Sequence, residues 1–283
     1  MTRLGVVGGG TMGAGIAEVA ARAGDEVLIL EQTSETADAA RARIETSLGR
    51  AAKKGKISDD DVAATLGRLK TTTDIADFAD RELVIEALPE IEALKVDFFA
   101  KLDEITPAET ILATNTSSIP IIRIAKNVAD PSRVVGVHFF NPVPVMPLVE
   151  IIASLASAPA AVQTVTDYVR DRLGKKPIQA GDRGGFVVNA LLIPYLVSAI
   201  RMLESGYATK EDIDAGMING CGHPMGPLTL SDTVGLDVVL DVSESLYQEF
   251  REPHLAPPPL LQRMVDAGYL GKKTGKGFYD YSA

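Results

Sequence analysis

The chain has no tryptophan, one cysteine and three histidines among its 283 residues. A single thiol, Cys221, excludes an intrachain disulfide framework and suits a reducing compartment. Basic residues are in the minority. The 28 Lys and Arg stand against 38 Asp and Glu, and the formal net charge of −10 argues against general nucleic-acid binding. Long apolar runs are missing too. The most apolar helical candidate, Phe186 to Ile200, is too short to span a bilayer and carries Asn189, Pro194 and Ser198. Only Met1-Thr2-Arg3 precedes the first predicted strand, so no signal or transit peptide is expected and a cytoplasmic location follows as the default. What remains, 46% hydrophobic and 23% charged residues, allows a sizeable core on a length that fits about two domains.

The most informative stretch is Leu4 to Gly15. Leu4 to Val7 reads as a buried parallel strand. It ends in Gly8-x-Gly10-x-x-Gly13, with Thr11 and Met12 between the last two glycines, and a helical pattern follows. Strand, glycine turn and helix in this order form the dinucleotide-binding fingerprint. Gly8 permits the tight turn, Gly10 lets a pyrophosphate approach the backbone, and Gly13 brings helix and strand together. The freed N–H groups and the helix dipole then face the diphosphate. A second strand, Glu26 to Leu30, ends in Glu31, at the fingerprint's spacing of about 20 residues. A carboxylate there accepts from the ribose hydroxyls and repels a 2′-phosphate. No arginine follows it, so NAD is predicted over NADP.

Ser34 to Leu69 is too long for an ordinary crossover and is predicted to be two helices, interrupted at Gly49 to Gly55, the second capped by Ser58 to Asp61. Residues 41–56 hold Arg41, Arg43, Arg50, Lys53, Lys54 and Lys56 against Glu45 alone. On an acidic chain this basic hairpin points to docking of a phosphorylated ligand, with a solvated helix face as the alternative. Further strands are predicted at Leu83 to Ala87, Ile111 to Thr114, Val134 to Val137 and Leu148 to Ile152. Their polar ends, Glu90, Ser117 and His138, fall where an open α/β sheet binds ligands. Ala158 to Leu173 reads as helix. A cluster of Gly and Pro residues at 174–185 reads as a domain boundary. The expected domains are 1–184, nucleotide-binding with the hairpin 34–69 inserted, and 185–283, all-helical. The latter's helices, Phe186 to Leu203, Lys210 to Asn219 and Leu228 to Phe250 (breaking near Gly235), are apolar enough to bury a face in a homodimer.

An imidazole titrates near neutrality and can exchange a proton with an alcohol as hydride leaves. It needs a carboxylate to fix its tautomer. Glu150 lies beyond a proline-rich turn, Pro142 to Pro147, and folding back would bring it to His138. Spacing alone does not separate that pairing from a core histidine. Cys221-x-His223 is too sparse for a metal site, and no metal is expected.

Several long motifs carry a resemblance across essentially the whole chain: the block from His138-Phe139-Phe140-Asn141-Pro142 to Glu150, Asn115-Thr116-Ser117-Ser118, Gly222-His223-Pro224-Met225-Gly226-Pro227-Leu228, Asp232-x-x-Gly235-Leu236-Asp237, and Gly271-Lys272-Lys273-Thr274-Gly275-Lys276-Gly277-Phe278-Tyr279. The chain resembles the short-chain L-3-hydroxyacyl-CoA dehydrogenases, most of all the bacterial 3-hydroxybutyryl-CoA dehydrogenases. The resemblance implies a Rossmann-type doubly wound domain followed by a helical domain that dimerises. It implies NAD as cofactor, an acyl-CoA substrate and the reaction (S)-3-hydroxyacyl-CoA + NAD⁺ ⇌ 3-oxoacyl-CoA + NADH + H⁺. His138 would be the acid–base, oriented by Glu150. Ser117 and Asn189 would bond the substrate's 3-oxygen, Ser117 near the nicotinamide as well. Asn141 would place nicotinamide and substrate. Glu90 and Lys95 would lie along the cofactor, and Lys273 would reach it from the C-terminal segment. Ser47 and Lys54 match positions that contact coenzyme A.

The chain departs from the family pattern at Asp182-Arg183-Gly184-Gly185-Phe186, where a proline is usual, and at Ala190, where an arginine usually follows the asparagine. The first loosens a hinge, and the second removes a charge near the site. Acyl chain length and pathway stay open: fatty-acid oxidation, butanoate synthesis or aromatic-acid breakdown. Two other readings keep the fold, a dehydrogenase of a non-CoA acid such as L-gulonate and an NAD(H)-binding protein without turnover. The basic hairpin speaks against the first and the His138–Glu150 pair against the second. A β-hydroxyacid dehydrogenase would carry a lysine base on its long helix, and Phe186 to Ile200 has none.

Overall fold

Short apolar runs buried on both faces build a sheet, and the helices between them cover it. The computed structural model describes residues Met1 to Ser282. Contacts divide the chain into a unit Met1–Asp182 and a second beginning at Arg183. The first unit runs β1 (Arg3–Val7), α1 (Thr11–Arg22), β2 (Glu26–Leu30), α2 (Ser34–Lys53), α3 (Asp59–Gly67), β3 (Leu69–Thr72), β4 (Leu83–Glu86), α4 (Glu92–Ile105), β5 (Ile111–Thr114), α5 (Ile121–Ala125), β6 (Val134–Phe139), β7 (Leu148–Ala153), α6 (Pro159–Asp167) and β8 (Lys176–Gly181).

The strands lie in the order β3-β2-β1-β4-β5-β6-β7-β8. The first six in that order are parallel, β7 is antiparallel to β6, and β8 is parallel to β7. Between β1 and β4 the winding reverses, and a ligand crevice opens at the carboxyl ends of such strands. Every residue of β4 and β6 is buried, as strands covered on both faces require. One core joins Val6, Ile16, Ile29 and Val135 to Ile44 and Leu48 of α2. Phe78 is fully buried, and a Cβ on Gly5 would stand 2.3 Å from its ring. No residue larger than glycine fits in the middle of β1.

Three expectations need correction. First, α2 runs straight through Gly49, and the break falls after Lys53. Its buried Ala37, Ala40, Ile44 and Leu48 repeat every three to four residues, and that packing outweighs the roughly 1 kcal/mol that one helical glycine costs. Second, β3 and β8 were not expected. Both are edge strands with polar or mixed sequences, and β8 tolerates Pro177 because it lies at the sheet's margin. Third, the α-helix beginning at Pro159 gives way to a π-turn at Tyr168–Arg172.

The second unit holds α7 (Val188–Glu204), α8 (Lys210–Cys221), α9 (Pro227–Val234), α10 (Leu236–Phe250) and α11 (Pro259–Asp266). Leu196, Ile200, Leu228, Leu236 and Val239 form its core. Gly235, at φ +106°, separates α9 from α10 as expected. Two buried carboxylates organise the rest. Asp214 accepts from the N–H groups of Leu228 and Thr229, at 2.8 and 3.0 Å, and so caps α9. Asp232 accepts from the N–H groups of Phe278 and Tyr279, both at 2.9 Å. The three long C-terminal motifs thus meet on these two side chains.

Candidate active site

The β1–α1 turn has the geometry of an anion cradle. Gly8 has φ +89°, where a side chain is strained. A Cβ on Gly13 would lie 1.7 Å from the Gly8 carbonyl oxygen, so only glycine lets α1 approach β1. A Cβ on Gly10 would meet nothing within 4 Å. Protein packing therefore does not demand glycine at 10; it leaves the space above the turn open. Gly10 begins α1 without a side-chain cap, and the first turn carries no acid. Its N–H groups and dipole are available to a diphosphate. Beside it lies a crevice of about 690 Å³, lined by Thr11, Met12, Glu31, Ile75, Leu88 and Phe98 among others. Its shape and donors fit a dinucleotide. Glu31, at the end of β2, accepts a hydrogen bond from the Gly9 N–H. Ile75 and Phe98 were missed by sequence reasoning, because their segments carry no recognisable motif.

At the carboxyl ends of β4, β5 and β6 stand Glu90, Ser117 and His138, on neighbouring strands. Glu90 Oε1 accepts from the Thr116 hydroxyl at 2.5 Å, the Ser117 N–H at 2.8 Å and the Ser118 N–H at 3.0 Å. Its Oε2 lies 3.3 Å from Lys95 Nζ. Burial pushes the Glu90 carboxyl up, but the Lys95 charge and these donors outweigh it and hold the carboxyl below its usual range. The side chain still shows 35% of its surface, so a ligand can reach it.

Lys95 is buried beside Glu90. It is 1% exposed, and its ammonium lies 2.7 Å from Glu86 Oε1. Glu86, fully buried, also accepts from the Thr114 hydroxyl at 2.7 Å. Lys95 therefore pairs with both Glu86 and Glu90 and donates to the carbonyl of Leu88, a residue of the crevice wall, at 3.1 Å. Glu86 was missed, although a carboxylate ending an otherwise apolar strand was its signal in the sequence.

His138 and Glu150 are partners in the β6–β7 register. His138 Nδ1 lies 2.7 Å from Glu150 Oε2. Glu150 is fully buried and His138 nearly so. A carboxylate at this distance calls for the proton on Nδ1. Asn115 Oδ1 accepts from the Phe139 N–H at 2.9 Å and ties the end of β5 to β6.

A second cleft, of about 630 Å³, lies between α1 and α2 and is lined by Glu18, Arg43, Ser47, Arg50, Asn141 and Val143 among others. Asn141, in the loop after β6, thus shares a cleft with Ser47. Lys54 stands exposed at the C-terminal cap of α2, outside the lining. The basic residues divide: Arg41 turns to Glu45 and the Leu69 carbonyl, Arg43 lines the cleft while donating to the Gly9 carbonyl at 3.2 Å, and Arg50 lines the cleft. Asn189, in the first turn of α7, and Lys273, paired with Asp237, belong to the second unit. Among the described residues no three His, Cys, Asp or Glu gather as a metal site. No described helix is long and apolar enough to cross a membrane.

Comparison with known proteins gives two family models that together span the chain. Residues 3–183 match the 3-hydroxyacyl-CoA dehydrogenase NAD binding domain, and residues 185–281 match the C-terminal domain of the same family. A 3-hydroxybutyryl-CoA dehydrogenase of Mycobacterium tuberculosis is 53% identical over 99% of this chain and 98% of its own. The crystal structure of FadB2 from the same organism superposes with a TM-score of 0.98 at 52% identity, covering 100% of this chain and 99% of that one. The structure of (S)-3-hydroxybutyryl-CoA dehydrogenase PaaH1 from Ralstonia eutropha gives a TM-score of 0.95 at 42% identity, with both chains fully covered.

Proposed function

The chain belongs to the 3-hydroxyacyl-CoA dehydrogenase family, and from that premise we propose that His138 and Glu150 are the acid–base pair of an NAD-dependent interconversion of (S)-3-hydroxyacyl-CoA and 3-oxoacyl-CoA. The observation that carries this reading is the 2.7 Å contact between His138 Nδ1 and Glu150 Oε2 at the carboxyl end of β6. NAD, held at the glycine turn and Glu31, would supply the hydride acceptor for C3 in oxidation, and NADH the donor in reduction. The chain's own work is the proton. In oxidation His138 Nε2 takes it from the C3 hydroxyl, while Glu150 stabilises the imidazolium that forms. In reduction the same nitrogen gives it back.

The crevice beside Gly8, Gly10 and Gly13 is proposed to hold the dinucleotide, with Glu31 at the ribose and Glu90 with Ser117 towards the nicotinamide. The α1–α2 cleft is proposed for coenzyme A, with Ser47 inside it, Lys54 at its rim and Asn141 at the end nearer His138. Arg43 and Arg50 supply the positive charge that phosphates need. A short acyl group, as in 3-hydroxybutyryl-CoA, is the proposed substrate. The decisive assay follows NADH consumption with acetoacetyl-CoA. Turnover of L-gulonate with none of acetoacetyl-CoA would reverse the substrate assignment.

We also propose a homodimer formed through the second unit. Leu191, Tyr207 and Ile218 are exposed there, and an apolar hollow of about 380 Å³ is lined by Tyr195, Met202 and Met217 among others.

A further inference from the structure

Helix α1 buries glycine, alanine, valine and isoleucine along its covered face, and one charged residue, Glu18. Its side chain is 2% accessible, yet it lines the α1–α2 cleft. Arg22 Nη1 stands 3.8 Å from Oε1, beyond hydrogen-bond reach. The Ser47 hydroxyl approaches the carboxyl from α2. Among the described residues, Glu18 Oε1 is the one buried side-chain oxygen or nitrogen that makes no hydrogen bond. Such an atom is costly, and native proteins keep few of them. Glu18 lines a cleft that the basic side chains of α2 make suitable for a phosphorylated ligand.

We propose that Glu18 is a specificity-determining residue for the coenzyme A arm: its Oε1 accepts a hydrogen bond from a neutral N–H of the ligand, and the carboxyl holds Ser47 in place beside it. The inference rests on coenzyme A lying in the α1–α2 cleft. Coenzyme A offers such N–H groups from two sources, the pantetheine amides and the adenine amine. Its phosphates cannot serve, because a carboxyl repels them; those fall to Arg43 and Arg50. The pairing separates the two chemistries of one ligand, acceptor on α1 for N–H and cations on α2 for phosphate.

The test compares wild type with Glu18→Leu, Glu18→Gln and Arg50→Ala, using acetoacetyl-CoA and acetoacetyl-pantetheine as substrates. Glu18→Leu is expected to raise KM for acetoacetyl-CoA by about tenfold, the value of one lost hydrogen bond, with kcat within about twofold of wild type. Glu18→Gln keeps an acceptor oxygen and a KM near wild type. A matching rise with acetoacetyl-pantetheine assigns the donor to the amides; a rise confined to acetoacetyl-CoA assigns it to adenine. An unchanged KM in Glu18→Leu, or a fall in kcat alone, overturns the proposal. Arg50→Ala separates the two levels. If it leaves KM unchanged, the coenzyme is not in this cleft. If it raises KM while Glu18→Leu does not, only the role of Glu18 fails.

Discussion

His138 and Glu150 face each other across the antiparallel β6–β7 ladder, Nδ1 to Oε2 at 2.7 Å, with the carboxylate wholly buried. In the proposed reaction a carboxylate so placed would orient the ring and stabilise its cation at once. Replacing His138 with alanine is expected to lower kcat by about a hundredfold or more while NADH still binds. Glu150→Gln lowers kcat less and leaves NADH affinity near wild type. Stopped-flow turnover and fluorescence titration of NADH check both, and near-normal turnover of the alanine variant would remove His138 from the chemistry.

Glu31 follows β2 beside the glycine turn and accepts from the Gly9 N–H; the next residues, Gln32, Thr33 and Ser34, bring no cation, and the carboxylate itself repels a 2′-phosphate. KM for NADH is expected to lie well below that for NADPH. Glu31→Ala narrows the gap from both sides, raising the first and lowering the second. Steady-state kinetics with the two cofactors decide it; a lower KM for NADPH in the wild type contradicts the assignment.

Lys95 and Glu86 form an ion pair with almost no solvent contact. Removing one partner strands the other charge, at about 3–5 kcal/mol. Lys95→Met is therefore expected to lose stability of that order in urea denaturation. It also loosens Glu90 and the Ser117 backbone it holds, so KM for NADH rises in parallel. A loss under about 1 kcal/mol would mean the pair is better hydrated than its burial indicates.

Burial pushes the Glu18 carboxyl above its ordinary range, and the nearby Ser47 and Arg22 only partly offset this. Arg43 and Arg50 share the cleft. The stability tied to a raised carboxyl is fully present below its unfolded pKa, near 4.3, and is lost as pH climbs through the folded value. Glu18→Gln removes that loss. Its Tm is expected to match wild type in acid and to exceed it increasingly towards neutral pH. A constant Tm difference across that range counts against a desolvated carboxyl.

Light scattering at micromolar concentration should report a dimer. Leu191→Glu or Tyr207→Glu, each adding charge to the exposed apolar face of the second unit, is expected to shift it to monomer with the far-ultraviolet spectrum retained. A wild-type monomer at that concentration would contradict the dimer.

The sequence by itself determined the central strands, the glycine turn and the helical second unit, because each has a local physical signature. Val6 and Val7 alternate with nothing polar, Gly8 and Gly13 stand where only glycine fits, and α10 repeats its apolar residues at helical spacing. It also marked His138 and Glu150 as candidates. Only the tertiary structure decided their partnership, since a shift of one residue in the β6–β7 register would turn the two side chains to opposite faces. The edge strands β3 and β8 were illegible because an edge need not be apolar on both faces. The burial of Lys95, Glu86 and Glu18 was illegible for the same kind of reason: a charged side chain on a helix or at a strand end reads as exposed until packing removes its water. Desolvation is a property of the assembled core, and no window of sequence contains it.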